Sequence, residues 1–385
     1  MKKRIFAALL VASVACMAFA GCKDTEQPPK NPTDPSGSDP VETFTPKPVD
    51  GTPILFDEGM EYYNTAPSMI EESDSLRYIV YSVNKTANQK DTVFAARKAE
   101  KKSGVWEYGE KHVILEPSAS GWDKGHIANP DVIKGAFSYN GESYSYLLAY
   151  QASDSAAQSN YNIGLAVAKD PLGSWVKVGN APVIEYDSDG YGAGYGVGEP
   201  SLMSYDDEGK VYLFHSMGDT YSTGVYVAEL DCSDLSNIRG ASVSNAVTTH
   251  GMTDPGQAVV SYCDADFALD KTTGTLYTVR NFMPMATVKP FLPLAVQVLK
   301  MPFADLYKIG AEWEVVETRI NDTDLSTEEN DGWERVYSAC FITDAYGKVT
   351  GSALDMALSV TSYNKTSFEH TFYQTITSYI VNVED

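Results

Sequence analysis

Along most of its length the chain alternates apolar and polar positions with a period of two, in runs of five to nine residues closed by Gly, Asn, Asp or Pro. That period belongs to half-buried β-strands. The stretch 121–178 shows the unit most plainly. A short strand, Asn129–Ile133, opens at Pro130. The Asn140-Gly141 pair supplies residues that tolerate the positive φ of a tight hairpin. Tyr144–Tyr150 is an aromatic and apolar second strand, Ile163–Ala168 a third, and Trp175–Val178 a fourth, reached through Asp170-Pro171-Leu172-Gly173. Four meandering strands cannot bury both faces of their sheet alone and need neighbours of the same kind.

The opening strand recurs at Ala66-Pro67-Ser68-Met69, Asn129-Pro130-Asp131-Val132, Glu199-Pro200-Ser201-Leu202, Asp264-Ala265-Asp266-Phe267 and Ser338-Ala339-Cys340-Phe341, at intervals of 63 to 74 residues. Each is followed by an apolar second strand: YIVYSV (78–83), YLLAYQ (146–151), VYLFHS (211–216), LYTVRN (276–281) and MALSVT (356–361). Third strands follow as TVFAARKAE, IGLAVAKD, GVYVAEL, AVQVLKM and HTFYQTIT. Trp106, Trp175 and Trp313 stand at the start of fourth strands. Five such units without helical periodicity between them predict an all-β fold, a five-bladed β-propeller with four antiparallel strands per blade.

The termini change the picture. Lys2-Lys3-Arg4, the apolar run Ile5–Ala20 and the sequence Phe19-Ala20-Gly21-Cys22 predict a lipoprotein signal over residues 1–21, with Cys22 as the lipidated first residue of the mature chain. Residues 22–51, rich in Pro, Asp, Thr and Ser, are expected to be an extended tether. The propeller then occupies 52–385. The expected location is exported and lipid-anchored at a bacterial (outer) membrane, at the cell surface or in the periplasm, with the Cys22 lipid as the membrane contact and a monomeric body. A net charge of −23 excludes nucleic acid as a plausible partner. The remaining Cys232, Cys263 and Cys340 give neither a disulfide framework nor a metal knuckle.

In a propeller the leading residues of the inner strands ring one mouth, here Ala66, Asn129, Glu199, Asp264 and Ser338. Glu199 and Asp264, from neighbouring blades, face one pocket. Two carboxylates flanking a glycosidic bond suffice to hydrolyse it, one as acid and the other activating water or attacking the sugar. The loops before the openings carry further candidates: Trp122, Asp123 and His126 before the second, Tyr195 in the Gly-rich run YDSDGYGAGYGVGEP before the third, and Trp333 and Arg335 before the fifth. Trp122, Tyr195 and Trp333 are the rings expected to stack on sugar. The long apolar insertion 281–296 is expected to wall the site.

The repeated X-Pro-Ser/Asp-apolar openings, Gly209-Lys210-Val211-Tyr212-Leu213 and the run Gly164 to Trp175 (GLAVAKDPLGSW) resemble the five-bladed glycoside hydrolases of family 43 and their relatives. The resemblance covers about residues 52–385. It implies an oligosaccharide or polysaccharide ligand with arabinose or xylose linkages. The family's base position falls on Ala66, and its pKa-tuning Asp on Asn129, with Asp131 two residues on. Its general acid falls on Glu199. One of three carboxylates is therefore kept, leaving Asp264, Asp131 or Asp123 for the base and His126 as a further acid–base residue. Related propellers sometimes hold an axial cation, and His215 is the candidate ligand should a Ca2+ sit there. Two other readings stay open: a glycan-binding propeller without catalysis, and a phosphorylase-like enzyme, which needs basic residues such as Lys124, Arg280 and Arg335 gathered at the mouth.

Overall fold

The computed structural model describes residues 64–84, 92–155, 159–191, 194–218, 223–241, 243–254, 260, 262–285, 289–325, 335–361 and 374–383. They form five consecutive antiparallel meanders. The first contains β1 (Asn64–Ser73), β2 (Leu76–Asn84), β3 (Thr92–Lys102), β4 (Val105–Tyr108) and β5 (His112–Leu115). The second is β6 (His126–Tyr139), β7 (Glu142–Ser153), β8 (Asn162–Ala168) and β9 (Val176–Lys177). The third is β10 (Gly196–Ser204), β11 (Lys210–Gly218), β12 (Thr223–Asp231) and β13 (Asn245–Ala246). The fourth is β14 (Asp266–Asp270), β15 (Thr275–Met285), β16 (Lys289–Pro302) and β17 (Glu314–Ile320). The last comprises β18 (Arg335–Asp344), β20 (Ala353–Thr361) and β21 (Gln374–Asn382), three antiparallel strands among the described residues where four were expected. The short β19 (Lys348–Val349) between β18 and β20 pairs in parallel with β14 instead. Helix among these residues is limited to turns of three or four residues.

The sheets do not separate into five. Strand β1 pairs in parallel with β18 (Met69↔Ile342), which joins the first and last meanders into one eight-stranded sheet. The remaining sheets have four, five and four strands. Inner strands that run side by side close enough to exchange backbone hydrogen bonds explain the merger. The insertion 281–296 lengthens the β15–β16 hairpin, with Phe282 opposite Ala295 and Pro284 opposite Pro293. The Asn140-Gly141 turn takes the expected positive φ values, 52° and 82°.

The apolar core is divided among the faces between meanders. One cluster joins Val80 and Phe94 to Val132 and Leu148, and a second joins Leu147 and Leu165 to Leu202 and Leu213. A third joins Phe214 to Phe267, whose rings stack at 3.9 Å. A fourth joins Val279 and Val298 to Phe341 and Met356. The fifth joins Cys340, Ile342 and Ala357 back to Met69 and Ile79. Each meander is therefore stabilised by two neighbours, because the period-two alternation gives every strand two faces to bury.

One end of the axis is covered from the fifth meander. Ala345 O accepts from Lys134 N at 2.7 Å, and Tyr346 O from Ser204 N at 3.0 Å. Leu269 of β14 pairs with Lys348 of β19. A single turn thus touches the second, third and fourth meanders. The opposite end carries the opening residues.

Candidate functional site

All five opening residues are left-handed: Ala66 (φ 48°), Asn129 (50°), Glu199 (50°), Asp264 (48°) and Ser338 (42°). That conformation costs a non-glycine residue roughly 1–2 kcal/mol. It breaks the strand alternation, and the register shifts there in the first, second, third and fifth meanders. Bulges of this kind re-aim a side chain. Each strained amide is held by a side chain on the second strand of the preceding meander. Ala66 N donates to Ser359 Oγ (3.1 Å), Asn129 N to Ser82 Oγ (3.0 Å) and Glu199 N to Gln151 Oε1 (2.8 Å). Asp264 N donates to Ser216 Oγ (3.2 Å), and Ser338 N to Asn281 Oδ1 (3.1 Å). These five acceptors are absent from the sequence reading. Their recurrence near the end of each apolar second strand was the available signal.

The openings line an axial cavity of about 30 Å³, together with Pro67, Pro130, Asp131, Pro200, Asp266 and Cys340. This is room for one or two waters and not for a sugar. Glu199 and Asp264 meet here. Glu199 Oε2 accepts from the Asp264 amide at 2.5 Å. Asp264 Oδ2 accepts from Ser338 Oγ and, at 2.7 Å, from Asn281 Nδ2, whereas Oδ1 has Asn129 Nδ2 at 3.4 Å. Burial raises the Asp264 pKa, and the Ser338 and Asn281 donors and the Arg335 charge pull against it.

Asp131 lies one level deeper and is differently engaged. Its carboxylate accepts from Ser68 Oγ and from Leu202 N, both at 2.5 Å, and so ties the first and third meanders to the second. Asp266 does the same between the third and fifth, accepting from Ser201 Oγ at 2.7 Å and from Phe341 N at 2.8 Å. Desolvation raises both, Asp266 to about 6, and the charge of Asp266 adds to the rise of Asp131.

The other expected residues divide. Tyr195 adjoins the ring of openings without lining the cavity: its hydroxyl donates to Gln151 Oε1 (2.6 Å), the same atom that holds the Glu199 amide. Arg335 is buried, donates through Nε to Pro293 O at 2.7 Å and lies 3.7 Å from the Tyr337 ring centroid, and its Nη1 has no hydrogen-bond partner. His126 is buried between Thr92 Oγ1 (3.1 Å to Nε2) and Tyr161 OH (3.2 Å to Nδ1). Burial lowers its pKa to about 4, which keeps the ring neutral. Trp122 stacks on Tyr150 and covers Gly164, where a Cβ would come within 2.6 Å of the indole. Asp123 is buried against Lys177 Nζ at 2.5 Å. Neither lines the axial cavity. Trp333 and Cys22 lie outside the described residues.

His215 stacks on Tyr226 and has Ser244 Oγ at 3.2 Å and Ser216 O at 3.3 Å, with burial lowering its pKa to about 4. This donor set contains no carboxylate and does not fit a hard cation, which prefers several oxygen ligands. Among the described residues no group of three or more His, Cys, Asp or Glu side chains is arranged to hold a metal.

No protein-family model matches the chain, and no curated protein does. Solved structures do match. A family 62 α-L-arabinofuranosidase catalytic domain from Coprinopsis cinerea superposes with a TM-score of 0.57 at 10% identity, over 88% of this chain and 96% of that one. Zg3597, a family 117 glycoside hydrolase from Zobellia galactanivorans, gives 0.53 at 15% identity, over 88% and 89%. A GH43_1 enzyme from Xanthomonas citri complexed with xylotriose gives 0.52 at 14% identity, over 86% and 88%. The chain shares its fold with glycoside hydrolases of families 43, 62 and 117.

Proposed function

We propose that the chain is a glycoside hydrolase on a closed five-bladed β-propeller, cleaving arabinose- or xylose-type linkages in oligosaccharides. The five interfacial clusters and the cyclic set of amide latches support the closure. The observation that carries the chemistry is the meeting of Glu199 and Asp264 at the mouth, through the Glu199 Oε2 contact to the Asp264 amide. Water attacks the anomeric carbon as its proton passes to Asp264 Oδ1. The glycosidic C–O bond breaks, and the leaving oxygen keeps the electron pair and takes the proton of Glu199. The names of the fold relatives, arabinofuranosidases and an enzyme holding xylotriose, support the sugar class.

A second reading, a glycan-binding propeller without turnover, is favoured by Ala66 and Asn129, which put no carboxylate at two of the five mouth positions. A phosphorylase-like reaction has less support. Lys124 faces Asp154 at 3.9 Å and Arg280 pairs with Asp254 at 2.9 Å, so neither is gathered at the mouth with Arg335. Product release from a panel of aryl-glycosides and arabinose- or xylose-containing oligosaccharides separates the readings. Turnover is expected, and a ligand bound without any turnover establishes the binding protein instead.

The exported lipoprotein architecture, with a leader over 1–21, lipid on Cys22 and a tether to residue 51, is part of the same proposal. Cys22→Ser should move the protein from the membrane fraction to the soluble fraction without altering ligand binding. Unchanged partitioning removes the lipid anchor.

A further inference from the structure

Three of the five latch positions are serines, Ser82, Ser216 and Ser359, so a single hydroxyl is enough to hold the following opening amide. Asn281 does more than the latch requires. Its Oδ1 accepts from Ser338 N at 3.1 Å, and its Nδ2 donates at 2.7 Å to Asp264 Oδ2, the oxygen that also takes the Ser338 hydroxyl. We propose that Asn281 is a positioning residue for Asp264, fixing the carboxylate plane so that Oδ1 is the atom presented to water. The proposal rests on the assignment of Asp264 as the base.

The geometry supplies the reason. Donors from two different strands, β15 and β18, converge on Oδ2 and oppose rotation of the carboxylate. Among the described residues Oδ1 has one contact, 3.4 Å from Asn129 Nδ2, long for an N–H···O hydrogen bond, and so retains accepting capacity at a residue that lines the cavity. Asn281 also shapes the electrostatics. The charged or titratable groups around Asp264 among the described residues include Glu199 on β10, Arg335 on β18, Asp266 on β14 and Tyr195 ahead of β10, with Asp131 on β6 and Cys340 on β18 lining the same cavity. Burial of Asp264 favours its neutral form, and the Asn281 and Ser338 donors with the Arg335 charge favour the carboxylate. Loss of the Asn281 donor therefore raises the pKa of the base, and the acid limb of the rate profile moves to higher pH.

The test uses Asn281→Ser, which keeps an acceptor for Ser338 N and removes the donor to Asp264. With an aryl-glycoside or oligosaccharide that the wild type hydrolyses, kcat should fall roughly 10–100-fold, the scale of a small misplacement, with KM within about twofold. The acid limb should shift upward. Asn281→Asp, matching in shape but placing a second carboxylate beside the first, should shift it further. Ser153→Ala removes a buried hydroxyl at the end of β7 that donates to Ser159 O and touches neither Asp264 nor its donors, and should leave the limb in place. If both Asn281 variants keep the wild-type limb and kcat while Glu199→Gln loses turnover of a substrate with a poor leaving group, the positioning role is overturned and the glycosidase reading survives. If Asp264→Asn retains turnover, or the wild type has none, the assignment of the base falls and the positioning role falls with it.

Discussion

Two levels of the axis each hold two carboxylates, and the contrast between them separates chemistry from construction. At the mouth, Glu199 and Asp264 stand on strained left-handed residues. One level deeper, Asp131 and Asp266 stand two residues further along their strands than Asn129 and Asp264. Their oxygens accept from Ser68, Leu202, Ser201 and Phe341, groups on neighbouring meanders. Both levels are desolvated, and Asp131, Asp264 and Asp266 all have raised pKa values. Burial and pKa alone do not tell them apart. Both levels also bond across meanders, and what differs is saturation: both oxygens of each deeper carboxylate accept at 2.8 Å or less, whereas among the described residues Asp264 Oδ1 has one contact, at 3.4 Å.

The contrast is open to attack at each level. The largest expected effect is on rate. Asp264→Asn should lower kcat about 10²–10⁴-fold on every substrate, the range for a general base, while the thermal midpoint stays near wild type. A large loss of stability with intact turnover would reverse the two levels.

The deeper level should respond in stability instead. Asp266→Ala leaves the Phe341 amide without its acceptor and should cost about 1–3 kcal/mol, seen as a lower denaturant midpoint at unchanged slope. The pH dependence sharpens this. The folded pKa of Asp266, about 6, lies above the ordinary carboxylate value, so its contribution is full below about pH 4 and is lost as pH rises through about 6. Asp266→Asn should flatten that part of the stability curve, and an unchanged curve would contradict the assignment.

The smallest effect belongs to His126. Its ring is neutral and both nitrogens are engaged, so His126→Gln should change kcat within about twofold. Its folded pKa of about 4 lies below the ordinary 6.5, so its contribution is present above about pH 6.5 and declines as pH falls toward 4. A kcat loss on the scale of Asp264→Asn would make it part of the acid–base set.

Much of this frame was legible in the chain. The X-Pro openings, the apolar second strands and the Trp-led fourth strands follow from alternation and repetition, which register in sequence wherever a strand is half-buried. The ring residues were legible because each sits at a fixed offset from an apolar anchor. The latches were not, since one Ser or Asn at the end of an apolar strand reads as an ordinary interruption. Nor were the separate roles of Asp264 and Asp266, identical residues two apart, because partners on other meanders decide them. Trp122 and Asp123 illustrate a different limit. They precede an opening in sequence, but the chain carries them to Tyr150 and Lys177, where packing and an ion pair engage them.

The claim that Glu199 is the proton donor is tested most directly by Glu199→Gln on two substrates that share a sugar and differ in leaving group. A poor leaving group needs the proton, and hydrolysis should fall about 10²–10⁴-fold. An activated aryl leaving group needs little protonation and should be partly spared, with ligand affinity kept within a few fold. Equal and undiminished turnover of both substrates would contradict the account and place the acid on another residue.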